Sequence, residues 1–221
     1  HLAQSLAHGT LYVNRNVDED DSVESYTGKI FESAMASLDQ VHHSLDMSAI
    51  NRAVDLLTQA KKIAFFGLGS SAAVAHDAMN KFFRFNVPVI YSDDIVLQRM
   101  SCMNCNDDDV VVIISHTGRT KSLVELAQLA RENDAMVIAI TSPGTPLSRE
   151  ATLAITLDVP EDTDIYMPMV SRLAQLTVID VLATGFTLRR GAKFRDNLKR
   201  VKEALKESRF DKELSVHSNN Q

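Results

Sequence analysis

The stretch Val110-Val111-Val112-Ile113-Ile114-Ser115-His116-Thr117-Gly118-Arg119-Thr120 decides how the chain is read. Five consecutive β-branched residues leave no polar face, so they predict a strand covered by helices on both sides. Hydroxyls and a glycine close that strand at once, and residues 122–132 then carry apolar side chains at helical spacing. A strand, a Ser/Thr-rich turn and a helix make half of a parallel βαβ unit.

The same alternation extends in both directions. Short apolar runs predict strands at 62–66, 87–91, 135–140 and 153–157, with helices at 71–85 and 94–103 between them. Right-handed crossovers then give an α/β fold, a three-layer α/β/α sandwich with a five-stranded parallel sheet, preceded and followed by helices. Ahead of the sheet, Ile30, Ala34, Leu38, Val41 and Leu45 predict a helix over 24–45, with Asp21 and Glu24 as its capping pair. A second helix follows, with Ser48 as N-cap, and ends near Ala60. Pro143, Gly144 and Pro146 predict a loop over 142–146. Behind the sheet, residues 167–188 are apolar on all sides, with Pro168 in the first turn. Their few polar residues, Ser171, Arg172, Gln175 and Asp180, would find partners at a subunit interface. Phe194, Leu198, Val201 and Leu205 predict a last amphipathic helix. The chain thus divides into an arm (1–21), a helical lead-in (22–60), the sandwich (61–210) and a polar tail (211–221).

Composition narrows the function classes. The 221 residues are 45% hydrophobic and 24% charged, which excludes disordered, collagenous and disulfide-stapled chains. No apolar run approaches the roughly 20 residues of a membrane span, and no basic stretch followed by an apolar one opens the sequence, so secretion is not expected. Two cysteines suit a reducing compartment, so a cytoplasmic location is expected. With a net charge of −6 and a pI near 5.6, the chain is not expected to hold nucleic acid by itself.

Ligands of open parallel sheets bind beyond the carboxyl ends of the strands. Two ends here are rich in hydroxyls and glycine: Gly67-Leu68-Gly69-Ser70-Ser71, and Ser115 to Lys121. Each runs into a helix, so free N–H groups and the positive end of the helix dipole meet there, which suits a phosphate. The first loop alone also fits a dinucleotide fingerprint, with Gly67, Gly69 and Ala72 as G-x-G-x-x-A and Asp93 or Asp94 as the ribose acid. The second cradle argues against it, because a dinucleotide fold has no use for one. The glycine spacing of a Walker motif is absent. His76, Asp93, His116 and Glu161 are the candidate acids and bases for an isomerase, although none sits in an isomerase motif. Cys102 and Cys105 have no second pair with which to complete a zinc site. The basic run Arg189, Arg190, Lys193, Arg195, Lys199, Arg200 and Lys202 alternates with acids and reads as a solvated face. Arg119 and Lys121 either add charge to the phosphate site or cover the surface.

The loop pair, GLGSS at 67–71 and SHTGRT at 115–120, resembles the sugar isomerase (SIS) domain. The helical lead-in, RLAQL at 172–176 and the closing helix resemble the effector domain of RpiR-type bacterial transcription regulators. That resemblance implies a sensor rather than an enzyme, with no cofactor and no metal. It implies Ser71 and Ser115 as principal ligand-binding residues, with Ser70, Thr117, Gly118 and Thr120 completing the phosphate cradle. The expected effector is a phosphorylated sugar acid, 2-keto-3-deoxy-6-phosphogluconate in the branch that controls hexose-phosphate metabolism. The chain would be a homodimer or higher homo-oligomer with no membrane partner. It would reach DNA only through an N-terminal helix-turn-helix domain, of which residues 1–21 would be the connector. A phosphosugar isomerase and a nucleotide-binding domain are the alternatives.

Overall fold

Five short apolar segments pair side by side, all parallel, in the order β2-β1-β3-β4-β5. They are β1 (Lys62–Gly67), β2 (Val89–Tyr91), β3 (Asp109–Ser115), β4 (Met136–Thr141) and β5 (Leu153–Thr156). The computed structural model describes residues 16–165 and 167–206; residues 1–15 of the expected arm, the last four residues of the expected sandwich (207–210) and the whole expected tail (211–221) lie outside the described residues. All seven residues of β3 are buried, so the central strand has the two-sided cover that its sequence demands.

One face carries α1 (Val23–Ser44), α2 (Met47–Gln59), α3 (Ser70–Phe82) and α7 (Val170–Lys206). The other carries α4 (Ile95–Met103), α5 (Lys121–Glu132) and the short α6 (Pro146–Glu150). Alternation along the strands separates the two cores. Phe65, Val112, Ile114 and Ile140 face α2, α3 and α7, while Phe66, Val111, Ile113 and Ala139 face α4 and α5. The α2–α7 crossing is close because Gly185 has no side chain: a Cβ there would lie 2.6 Å from Val54 Cγ2.

Several boundaries differ from expectation, each for a local reason. Ser22, not the Asp21–Glu24 pair, caps α1 by accepting from the Ser25 N–H. Asp21 and Asp18 instead clasp Lys29 Nζ at 2.7 and 3.0 Å, and that contact holds the Asp21 carboxyl down at about 2. Asp46, not Ser48, caps α2 through the Ser48 N–H. Part of the expected 142–146 loop is helix, because Pro146 opens α6 under a Thr145 cap. α7 starts at Val170, after Pro168. It is broken at Gly191 (φ 76°, ψ −165°), a conformation open to glycine, so the two expected helices run on with one kink between them.

The outer face of α7 is apolar, as its sequence reads, but it is not covered within the chain. Val181 and Leu188 are exposed and, with Met47, Ile50 and Val54 of α2, line a groove of about 540 Å³. Two of the polar residues of α7 find partners inside the chain: Glu161 for Ser171, and Lys81, at 3.2 Å, for Asp180. Gln175 is buried with its Oε1 unpartnered.

Candidate functional site

Chain order reverses between β1 and β3. Their carboxyl ends therefore splay apart into the crevice where open α/β sheets bind ligands. Gly67 pairs with Ile114 in register, which sets the two Ser/Thr-rich loops side by side. The first loop turns at Gly69 (φ 57°) and enters α3 at Ser70, with Ser71 buried at its first turn. Gly67 is required by close approach, since a Cβ there would meet the Ser71 carbonyl oxygen at 2.6 Å.

The second loop is braced from beneath. The Gly118 N–H donates to Ser115 Oγ at 3.2 Å in a buried bond. That bond spends a lone pair of the hydroxyl and leaves its proton free to donate outward. Gly118 has φ 57°, and a Cβ there would fall 2.3 Å from Thr145 Oγ1 and 2.4 Å from Thr141 Oγ1. The His116 carbonyl accepts from the Ser142 N–H at 2.9 Å, and the Gly118 carbonyl from the Leu147 N–H at 3.1 Å. Thr141 and Thr145, which the sequence reading passed over, are thus the floor of the cradle. Their signal was visible as a third Ser/Thr- and Gly-bearing strand end, Thr141-Ser142-Pro143-Gly144-Thr145.

The helix starts divide by how they are capped. A side-chain oxygen caps α1 (Ser22), α2 (Asp46), α4 (Asp94) and α6 (Thr145). The Glu161 carboxylate accepts from the N–H groups of Met169, Val170 and Ser171 at the start of α7, at 2.7, 2.8 and 3.1 Å. Among the α-helices of the described residues, only α3 and α5 begin with no side-chain cap, at Gly69 and Thr120. These are the two helices that follow the two loops. The Ser71 and Ala72 N–H groups of α3 and the Leu123 N–H of α5 turn to backbone carbonyls, so the N–H groups of Ser70, Lys121 and Ser122 are the ones an anion could take.

The structure gathers Ser70, Ser71, Ser115, Thr117, Gly118 and Thr120 around this crevice, on the two loops and first helical turns. The candidate acids and bases are dispersed. His76 is exposed, with its ring 4.9 Å from that of Tyr91. Asp93 is exposed, and Asp94 caps α4 through Val96 and Leu97 N–H. His116 and Glu161 do meet, but through the Glu161 carbonyl, which lies 3.2 Å from His116 Nε2. Burial alone would push the Glu161 carboxyl up; hydrogen bonds from Ser171 and from the N–H groups of Met169 and Val170 outweigh it and hold the group below its ordinary value. Arg119 pairs with Asp164 at 2.6 Å, whereas Lys121 is 92% exposed and turned toward Glu125.

The remaining motifs are absorbed by structure. Burial pushes the Cys102 thiol up to about 12, and Cys105 upward too, which suits inert thiols. In the basic run, Arg189 bonds Asp55 and Asn51, Arg190 lies over Phe186 at 5.1 Å, and Lys199 pairs with Asp196. Asp39, His42 and His43 cluster on exposed α1, where the His43 ring is already bonded to the Asp39 carbonyl. Among the described residues no helix is long and apolar enough to cross a membrane.

Comparison with known proteins places these features in company. The SIS domain family model matches residues 56–185. The HTH-type transcriptional regulator HexR of Escherichia coli strain K12 is 92% identical over 214 residues, which are 97% of this chain and 74% of that protein. HexR of Pseudomonas aeruginosa is 56% identical over 209 residues, 95% of this chain and 73% of that protein. In three dimensions the chain is similar to the Vibrio vulnificus NanR protein complexed with ManNAc-6P, with a TM-score of 0.77 at 23% identity over 86% of this chain and 72% of that one.

Proposed function

The chain belongs to the SIS domain family and, within it, to the RpiR-type transcriptional regulators of the HexR kind, and on that premise we propose that the crevice between β1 and β3 is the effector site of a transcriptional sensor. The observation that carries this reading is the pair of adjacent helix starts, α3 and α5, left without side-chain caps. A phosphoryl group there receives backbone N–H groups and two helix dipoles, with hydroxyls from Ser70, Ser71, Ser115, Thr117 and Thr120 around it. The effector is a phosphorylated sugar acid, 2-keto-3-deoxy-6-phosphogluconate in the first instance, and it acts in the cytoplasm.

Sensing without turnover is the favoured mode. Isomerisation needs a base free to move a proton beside the sugar carbonyl. The Glu161 carboxylate is engaged at the start of α7, and the His116 ring points at a carbonyl. The binding signal passes from the loops to α7, and from there to α1 and α2, which pack on it. The chain works as a homodimer whose rearrangement alters DNA binding by a helix-turn-helix domain. The exposed Phe31 and Met35 on α1 and Leu188 on α7 are apolar surface available for that pairing.

Thermal melting in the presence of 2-keto-3-deoxy-6-phosphogluconate, fructose 6-phosphate and NAD tests the reading. A ligand at a hundred times its Kd stabilises by about 2.7 kcal/mol. The sugar-acid phosphate is expected to raise Tm, and Ser71→Ala and Ser115→Ala each to weaken binding by about tenfold or more, as loss of a hydrogen bond to a charged group does. Stabilisation by NAD alone would overturn it.

A further inference from the structure

We propose that Arg119 reads a carboxylate on the effector by exchanging Asp164 for it, an inference that rests on the phosphate-cradle reading above. Arg119 lies between Gly118 and Thr120 of the cradle, and its N–H turns toward Thr117 Oγ1 at 3.4 Å. Its guanidinium donates to Asp164 Oδ2 at 2.6 Å. Both side chains are more than half exposed, at 58% and 65%. Such a pair contributes little to stability and is open to exchange. What it does show is that the guanidinium is already oriented to hold a carboxylate beside the cradle.

A ligand anchored by its phosphoryl group presents its far end at high effective concentration. If that end is a carboxylate, it competes with Asp164 for the same guanidinium. A neutral end leaves Arg119 on Asp164. The exchange therefore separates phosphorylated sugar acids from neutral phosphosugars of the same length. It also carries the signal onward. Releasing Asp164 frees a segment whose Glu161 holds the start of α7 by its carboxylate and meets His116 by its carbonyl.

Calorimetric titration of the chain with 6-phosphogluconate and with glucitol 6-phosphate tests this, because the two linear probes differ only in a carboxylate against a hydroxymethyl group. The wild type is expected to bind the acid about tenfold more tightly, the usual worth of a charge-assisted hydrogen bond. In Arg119→Gln that ratio should fall close to one through loss of acid affinity alone. Asp164→Asn should tighten the acid several-fold and leave the polyol where it was. A ratio unchanged in Arg119→Gln, or equal binding of both probes by the wild type, overturns the Arg119 assignment and leaves the cradle standing. Failure of the wild type to bind either probe overturns both.

Discussion

At the scale of single residues, Gly118 is the tightest point of the cradle. Its positive φ and the hydroxyls of Thr141 and Thr145 beneath it leave no room for a side chain. Gly118→Ala is expected to cost about 1–3 kcal/mol from left-handed strain and crowding combined. Chemical denaturation checks this, and a midpoint equal to wild type would mean that the loop relaxes freely. The hydroxyls on the two main loops were legible because strand ends in parallel sheets are where ligands go. Thr141 and Thr145 offered a weaker signal, a third Ser/Thr- and Gly-bearing strand end, and their role beneath Gly118 shows only once β4 lies beside β3 and α6 has formed. Nor could spacing assign Glu161: an acid forty-six positions beyond Ser115 becomes a helix cap only once the chain after β5 has folded back.

At the scale of elements, the strands were the clearest part of the reading. The runs at 62–66 and 110–114 have no polar face, and a period of that kind admits few alternatives. Helix starts were harder. Ser22 and Asp46 displaced the expected caps because several hydroxyl and carboxyl side chains crowd each start, and only the turn of the backbone decides which one reaches an N–H group. The start of α7 depends on a distant carboxylate, and this gives its stability a pH signature. Folding lowers the Glu161 pKa below its ordinary value, so its contribution is complete above that ordinary value and fades as pH falls through the folded one. Glu161→Gln should lower stability near neutrality by about 0.5–2 kcal/mol, as loss of a cap does. It should also flatten the acid limb of a Tm-against-pH profile. A parallel, merely displaced profile would assign the acid sensitivity to other groups.

At the scale of the whole molecule, the proposed site depends on one reversal of strand order. β2 lies on one side of β1 and β3 on the other, so the loops after β1 and β3 leave the sheet side by side, their helices on opposite faces. In the proposed reading, topology supplies the place for the effector, and two helix starts without side-chain caps supply the charge complement. The order of strands was not legible in any single segment. It follows from right-handed crossovers with the most apolar strand at the centre, and β3 is that strand.

The kink at Gly191 has a bearing on how the chain comes to be made. Beyond it, Phe194 lays its ring 5.7 Å from Phe85 and 5.8 Å from Phe186, closing an aromatic cluster that includes Phe82. This lid is translated after all five strands. During synthesis the sheet can therefore assemble while the cluster still lies open, and the nascent protein stays adhesive until its closing helix emerges. A chain ending at Arg190 should keep its strand signal in circular dichroism, yet bind the dye anilinonaphthalene sulfonate and aggregate on warming. If that shortened chain stays monomeric and dark to the dye, the cluster does not need its cover.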